Sequence, residues 1–219
     1  MKSILLIGLG RFGKHLARML STYDHDILAI DMDEEKVNEV LPYVANAEIG
    51  HITSEAYIAS LGVNNFDVCI VAIGDNFQNS LEATALLKEH GAKYVISRAD
   101  SDSHAKLLRL VGADETVYPE KDRANRLAVQ LSSKSVLDYY ELTPNYSIYE
   151  IPVPGKWVGK SIGEIGVRTN YNVSVLAVKA KDCTTDLLPM PKADYVFNAG
   201  ETIIVFGHKD DVNRLINTV

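Results

Sequence analysis

The sequence predicts an α/β protein, with a Rossmann-type, doubly wound parallel sheet in residues 1–140 and a smaller α+β unit in residues 141–219. Up to about Lys134, short apolar runs alternate six times with longer segments of helical pattern, which is typical of parallel strands joined by helices. A glycine-rich turn directly follows the first run. Beyond residue 140 this alternation stops, and five of the seven prolines fall between Pro144 and Pro191.

The elements of the first unit follow from this alternation. Most of its apolar runs lack polar alternation, as expected for strands buried on both faces of a sheet. We predict strands at residues 3–7, 26–30, 47–50, 67–73, 93–97 and 115–118. The segments between them begin with polar residues and several end at glycine, as helices do. We predict helices at residues 12–21, 33–41, 53–61, 76–90 and 101–111, and a sixth from Pro119 to about Val136.

The second unit has about 75 residues, and a short linker around residues 140–145 is predicted to join it to the first. Its apolar segments predict strands at residues 146–151, 173–177 and 202–207. We expect one helical turn at residues 161–166 and a short helix at residues 210–216.

The composition is that of an ordinary globular chain, with 219 residues of which 47% are apolar and 23% charged. No run of about 18 apolar residues is present, and residues 1–8 lack the features of a signal peptide, so we expect a cytoplasmic protein. The net charge is −7, with 14 basic and 20 acidic residues in 1–140 and 8 and 9 in 141–219. Neither unit therefore favours nucleic acid. Cys69 and Cys183 are expected to be structural thiols.

The strongest functional signal is a G-x-G-x-x-G turn between the first strand and the first helix. Gly8 permits the tight turn, Gly10 lets the backbone approach a pyrophosphate, and Gly13 allows the helix to pack closely on the strand. Free N–H groups at the start of the helix would face the anion. Asp31 closes the second strand 18 residues after Gly13, where a carboxylate accepts hydrogen bonds from ribose. The alternative is a glycine turn with an Asp helix cap, for which Asp33 is the better candidate.

Other residues at the same edge of the sheet are expected to complete a nucleotide site. Ile73 and Gly74 follow the fourth strand, and His51 follows the third and would border the base. Arg11 and Arg98 are expected to contact phosphate. The alternative for Arg11 is a solvated surface side chain, and the alternative for Arg98 is a structural ion pair. The candidate nucleotide-binding residues are Gly8, Gly10, Arg11, Phe12, Gly13, Asp31, Met32, His51, Ile73, Gly74 and Arg98. The acid at position 31 repels a 2′-phosphate, which disfavours NADP and leaves ATP, ADP, AMP or NAD.

Catalytic residues are not evident in the sequence. The six histidines show no metal-ligand spacing, and no Ser/His/Asp, Cys/His or Tyr-x-x-x-Lys set can be recognised. A dehydrogenase would normally draw catalytic residues from the second unit, whose one histidine is His208. We therefore interpret the chain as a nucleotide sensor, with an NAD-dependent redox sensor or oxidoreductase as the alternative.

Several segments together resemble the RCK (KTN) family, the cytosolic regulators of potassium channels and transporters. In the first unit they are residues 7–13 (IGLGRFG), 29–31 (AID), 71–74 (VAIG) and 119–122 (PEKD). The second unit resembles the C-terminal lobe of the family, TrkA-C, through residues 158–162 (VGKSI), 173–178 and 200–207 (GETIIVFG). With one copy of each lobe and no membrane segment, the chain is most similar to KtrA-type or TrkA-type cytosolic subunits.

The resemblance implies roles for particular residues. The three glycines of the turn would hold phosphates, Asp31 the ribose, and Arg11 the terminal phosphate of ATP. Glu120 would lie at a dimer interface and contribute to a site for Mg²⁺, Ca²⁺ or Na⁺, although a first-turn carboxylate favoured by the helix dipole is the alternative. His51 departs from the family pattern, in which a short polar residue is common.

The resemblance also implies a mechanism and a second ligand. Homodimers would form an octameric ring on an integral-membrane potassium-translocating subunit at the inner face of the plasma membrane. ATP and ADP, or alternatively NAD(H), would prefer different ring shapes, and ATP would favour opening. Some members bind cyclic di-AMP between paired C-terminal lobes, and the corresponding residues here are Val167, Arg168, Val175 and Pro189, with Cys183 near a base position. A different membrane partner or a transcriptional co-regulator remains the competing interpretation.

Overall fold

The computed structural model describes residues 1–132, 135–181 and 187–217. The chain forms two compact units, Met1–Glu120 and Lys121–Val219. Within the described ranges, none of the helices has the length and apolar character needed to cross a membrane.

Unit 1 is built on a six-stranded sheet in which every neighbouring pair is parallel. The strands are β1 (Ser3–Ile7), β2 (Asp26–Asp31), β3 (Asn46–Ile49), β4 (Val68–Val71), β5 (Val95–Arg98) and β6 (Glu115–Val117). Their order is β3-β2-β1-β4-β5-β6, so the direction of winding reverses between β1 and β4. The predicted doubly wound fold is confirmed.

The helices of unit 1 begin where polar residues can cap them. They are α1 (Arg11–Leu20), α2 (Glu34–Val40), α3 (Glu55–Ser60), α4 (Phe77–Glu89) and α5 (Asp102–Leu110), and α6 (Pro119–Ser132) begins at the end of this unit. The side chains of Asp33, Asn76 and Ser101 each accept a hydrogen bond from a backbone N–H in the first turn of α2, α4 and α5. Such caps satisfy donors that have no partner within the helix.

Two apolar clusters pack against the two faces of this sheet. Successive side chains of a strand point to opposite faces. Leu5 and Ile7 of β1 therefore belong to one cluster, and Ile4 and Leu6 belong to the other. Because β1 is buried on both sides, its sequence is an unbroken apolar run.

In its described part, unit 2 is a five-stranded antiparallel sheet with short helices. The strands are β7 (Asp138–Glu141), β8 (Tyr146–Pro152), β9 (Val173–Lys179), β10 (Leu187–Pro189) and β11 (Thr202–His208), in the order β10-β9-β11-β8-β7. The helices are α7 (Ile162–Ile165), α8 (Val167–Tyr171) and α9 (Lys209–Ile216). The core includes Trp157 and Phe197, whose stacked rings have centroids 5.7 Å apart. This is the predicted smaller α+β unit.

The structure differs from the sequence-based expectation at the junction of the units. Strand β7 extends to Glu141 and so overlaps the linker predicted around residues 140–145. Arg126 of α6 donates to Asp138 of β7, so both elements are tied to unit 2. The structural division after Glu120 therefore precedes the predicted boundary near residue 140. The short elements β10 and α8, which the sequence does not predict, both pack against β9.

Candidate functional site

An open cleft of about 1050 Å³ lies in unit 1, lined by residues that follow β1, β2, β4 and β5. Because β1 lies between β2 and β4, the cleft includes the point where the strand order reverses. Helices that leave neighbouring strands on opposite faces of a sheet open a crevice at such a point, and ligands of doubly wound proteins bind there.

The chain leaves β1 through a turn that requires glycine. Gly8 has a φ of +92°, a left-handed conformation that other residues rarely adopt. Its N–H donates to the carbonyl oxygen of Ile30 at 2.8 Å. A Cβ on Gly8 would lie 3.0 Å from Cγ1 of Ile73. The expected tight turn is therefore present, and it brings the start of α1 to the cleft.

Gly10 and Gly13 have opposite surroundings. A Cβ at Gly13 would overlap the carbonyl oxygen of Gly8, so the close packing of α1 on the turn depends on glycine. A Cβ at Gly10 would meet nothing within 4 Å, and the φ of Gly10 is an ordinary −65°. Packing within the chain therefore does not explain glycine at position 10. Its open side lines the cleft, where a ligand phosphate could approach the backbone.

The first turn of α1 offers backbone donors to an anion. No side chain caps the helix at Gly10, and its first turn contains no acidic residue. The first N–H groups of a helix lack partners within it, and the helix dipole makes this end positive. Arg11 adds positive charge to the lining, Lys14 lines it while ion-paired with Glu39, and His15 adds a ring. This end of the cleft is suited to a pyrophosphate.

Asp31, at the end of β2, fixes the glycine turn from the other side. Its Oδ2 accepts a hydrogen bond from the N–H of Leu9 at 2.6 Å, and its Oδ1 accepts from the N–H of Asp33 at 3.0 Å. Nζ of Lys36 lies 3.8 Å from Oδ1. Each carboxylate oxygen has a further lone pair, and Asp31 lines the cleft, so it can also accept from ribose hydroxyls.

Arg98, at the end of β5, lies on the opposite side of the cleft. Its guanidinium lies against Gly74, where a Cβ would overlap Nη1, and 5.7 Å from the ring centroid of Phe12. Nη2 donates to Oε1 of Glu120 at 2.5 Å. Nε is buried and has no hydrogen-bond partner among the described residues. The cleft thus contains a guanidinium with unused hydrogen-bonding capacity.

Most of the residues predicted to bind nucleotide meet in this cleft. The lining includes Gly8, Gly10, Arg11, Phe12, Asp31, Met32, Ile73, Gly74 and Arg98, together with Glu120. Gly13 lies behind the turn and serves packing. His51 is exposed and lies outside the lining, whereas its neighbour Ile52 belongs to it. The base contact of His51 stays a prediction that the cleft geometry does not support.

The sequence-based set omits several residues of the cleft. Among them are the helix residues Lys14, His15, Lys36 and Asn79. Each lies within the first turns of α1, α2 or α4, which start at the carboxyl edge of the sheet. That position along the chain is the signal that would have identified them, since the first turns of these helices border the crevice.

The predicted cation ligand Glu120 is ion-paired with Arg98. Among residues 1–132, 135–181 and 187–217, no group of three or more His, Cys, Asp or Glu side chains is arranged to hold a metal ion.

The residues predicted for cyclic di-AMP lie on three elements of unit 2. Arg168 on α8 and Pro189 on β10 are exposed, and Val175 on β9 is half-buried. Val167 is only 2% exposed and belongs to the core, so it can support such a site but not contact its ligand directly. Cys183 lies outside the described residues.

Both units match known protein families. The TrkA-N domain family matches residues 4–119, and the TrkA-C domain family matches residues 146–219. Ktr system potassium uptake protein C of Bacillus subtilis (strain 168) is 37% identical over 213 residues, covering 97% of this chain and 95% of that protein. Ktr system potassium uptake protein A of the same organism is 38% identical over 216 residues, covering 99% of this chain and 96% of that protein.

Solved structures share the fold at lower identity. The RCK domain of GsuK has a TM-score of 0.68 and 21% identity, covering 100% of this chain and 47% of that chain. The GsuK channel has a TM-score of 0.71 and 21% identity, covering 100% of this chain and 39% of that chain. This chain therefore spans about half or less of those structures, and the likeness concerns the fold. From the two domain matches and the identity over nearly its whole length, the chain belongs to the RCK family of TrkA-N and TrkA-C proteins, together with the Ktr system potassium uptake proteins.

Proposed function

We propose that this protein is a nucleotide-sensing regulatory subunit of a potassium uptake system. A nucleotide binds in the cleft of unit 1, and its binding controls a separate integral-membrane protein that translocates potassium. The observation that carries the proposal is the 37% and 38% identity to two Ktr system potassium uptake proteins over nearly the full length of both chains. The protein would act in the cytoplasm, at the inner face of the membrane through its partner.

The chemistry of the cleft supports the nucleotide part of this proposal. The open space beside Gly10, the uncapped start of α1 and the charge of Arg11 suit phosphate groups. Asp31 suits ribose hydroxyls. The unpartnered Nε of Arg98 supplies a further donor. These groups fit an adenine nucleotide that carries a pyrophosphate.

ATP and ADP are the proposed ligands, and NAD(H) is the alternative. All of them present a ribose and a pyrophosphate to the same turn. A GsuK channel structure, which shares the fold, is bound to NAD. A ligand shifts a conformational equilibrium only by its difference in affinity for the two states. We therefore expect ATP and ADP to bind the two states unequally, with ATP favouring transport.

The proposed assembly is a homodimer that builds an octameric ring, with Glu120 near paired nucleotides. Phosphates that meet across a two-fold axis concentrate negative charge, and a Mg²⁺, Ca²⁺ or Na⁺ ion there would offset it. The Ktr system relatives support a membrane partner for such an assembly.

Cyclic di-AMP is the proposed ligand of unit 2. The guanidinium of Arg168 would contact a phosphate, and Val175 and Pro189 would contact a base, with Val167 beneath them in the core. A calorimetric titration of the full chain that gives no heat, together with no thermal shift, would contradict this assignment.

Reconstitution with a potassium-translocating membrane partner in liposomes tests the main proposal. Potassium flux should be higher with ATP than with ADP, and Gly10→Ala should abolish the difference without preventing assembly of the complex. Equal flux with both nucleotides, from a protein that binds both, would contradict the regulatory role. Hydride transfer with NAD(H) would identify the oxidoreductase alternative, which the potassium-uptake relatives do not favour.

A further inference from the structure

We infer that Glu120 and an anionic group of the bound nucleotide compete for the guanidinium of Arg98, so that ligand binding opens the Arg98–Glu120 ion pair. This inference rests on the proposed nucleotide binding in unit 1 and adds a regulatory contact to that site. Glu120 is then a positioning residue that acts on the ligand through Arg98. This role is separate from the cation contact proposed for Glu120 above.

The first observation is that Arg98 is incompletely paired. Its Nη2 donates to Glu120, whereas its Nε is buried and has no partner in the part of the chain that the structure describes. A guanidinium has several N–H donors in one plane and binds carboxylates and phosphates best through two parallel hydrogen bonds. The two donor pairs that can bind an anion in this way, Nη1 with Nη2 and Nε with Nη2, both include Nη2. An anion held by two such bonds therefore competes with Glu120 for that nitrogen.

The second observation is the place that Arg98 occupies. Its guanidinium lies against Gly74, which follows β4, and near the ring of Phe12, which follows β1. These are the two strands between which the strand order reverses. Gly74 and Phe12 both line the cleft. A nucleotide that crosses this point comes within reach of Arg98, and a phosphate bound there through two hydrogen bonds would take Nη2 from Glu120.

The third observation is the unequal exposure of the two partners. The side chain of Arg98 is 19% exposed, whereas that of Glu120 is 60% exposed. The carboxylate can therefore return to water at little cost while the guanidinium stays in the cleft. An ion pair with one partner this exposed is weak, and removing it should change an affinity by about fivefold at most.

Because of the position of Glu120, opening the ion pair with Arg98 would also affect helix α6. Glu120 lies in the first turn of α6, the helix whose following residues belong to unit 2. No residue of α6 is buried, so its start is held by surface contacts such as the one with Arg98. Releasing Glu120 would destabilise this first turn. Ligand binding in the cleft would in this way change the stability of the helix that leads into unit 2.

Calorimetric titration of the full chain with ADP, in EDTA so that no divalent ion takes part, tests the competition. Glu120→Gln should raise the affinity for ADP, by up to about fivefold, because the competing carboxylate is gone. Adenosine, which has no phosphate, should bind Glu120→Gln and wild type equally. Arg98→Gln should weaken ADP binding, and adding Glu120→Gln to it should change nothing further. Glu55→Gln, a first-turn carboxylate of α3 outside the cleft lining, is the matched control.

Amide hydrogen exchange supplies the second measurement. ADP should speed exchange at the start of α6 in wild type and leave it unchanged in Arg98→Gln. An unchanged or lower ADP affinity in Glu120→Gln, or effects of the two substitutions that simply add, would overturn the inference while leaving the proposed function intact. Wild-type protein that binds none of ATP, ADP and NAD would contradict the proposed function as well.

Discussion

Gly10 and Gly13 belong to one sequence pattern, but glycine is needed at the two positions for different reasons. A Cβ at Gly13 would overlap the carbonyl oxygen of Gly8, whereas a Cβ at Gly10 would meet nothing within 4 Å. The packing of the described residues therefore requires glycine at position 13 but not at position 10, where a bound ligand would supply the requirement. The sequence places both glycines correctly but does not separate their roles, because the neighbours of each are set by the packing of α1 on the turn.

Alanine substitutions at these two glycines should have opposite effects. Gly10→Ala should leave the free energy of unfolding within about 0.5 kcal/mol of wild type, because its φ is ordinary and its surroundings are open. It should nevertheless abolish ADP binding. Gly13→Ala should destabilise the protein by roughly 1–3 kcal/mol through overpacking. Urea unfolding and calorimetric titration measure the two effects, and wild-type ADP affinity in Gly10→Ala would show that no ligand approaches the backbone there.

Hydrogen bonds between α6 and β7 tie most of helix α6 to unit 2. Asp138 accepts hydrogen bonds from Nε of Arg126 at 2.8 Å, from Nε2 of Gln130 at 2.8 Å and from the N–H of Tyr139 at 2.8 Å. The hydrogen-bonded guanidinium of Arg126 holds the pKa of the Asp138 carboxyl below its usual value. These bonds join the end of α6 to the sheet of unit 2.

This contact should make stability depend on pH in a defined direction. Because the folded state lowers the pKa of Asp138, the contact stabilises the fold above the unfolded-state pKa of 3.8 and is lost as the pH falls through the lower, folded-state value. Arg126→Gln should therefore lower the urea midpoint at neutral pH, and the difference from wild type should shrink on acidification below the folded-state pKa. Arg123→Gln removes the same charge one turn earlier on α6 and serves as control. A difference that persists unchanged at low pH would contradict this account.

The whole molecule combines two sheets of different kind. The parallel sheet of unit 1 carries the cleft, and unit 2 carries the exposed residues Arg168 on α8 and Pro189 on β10. A regulator that binds its ligand in one unit and works on a separate partner needs surfaces beyond the cleft. The proposed ring would supply them by joining copies of the chain.

The proposed assembly predicts a mass. Light scattering of the purified full chain of 24.1 kDa should give the mass of about eight chains if the octameric ring forms. Removal of nucleotide by dialysis should alter the shape of the ring, seen as a change in small-angle scattering, rather than dissociate it. A monomer at micromolar concentration would contradict the assembly but leave nucleotide binding in unit 1 untouched.

The sequence by itself determined the fold class, the glycine turn, Asp31 at the end of β2 and the family. The fold class depends on local periodicity, the glycine turn and Asp31 depend on motif spacing, and the family follows from the resemblance of several segments. Strands buried on both faces require unbroken apolar runs, so β1 begins and ends where the run at residues 3–7 does. The carboxyl-edge position of most site residues follows from the same alternation, since each strand of a doubly wound sheet ends at that edge.

The tertiary structure alone decided which residues touch. Arg98 meets Glu120 and Gly74, and Lys36 lies beside Asp31, through contacts that the spacing of the sequence does not reveal. Strand β7 has only four residues, too few to show a hydrophobic pattern in the sequence. It is defined by its antiparallel pairing with β8. Such features depend on side chains and edges brought together from distant parts of the chain. The site is therefore located by sequence, and its internal contacts are set by packing.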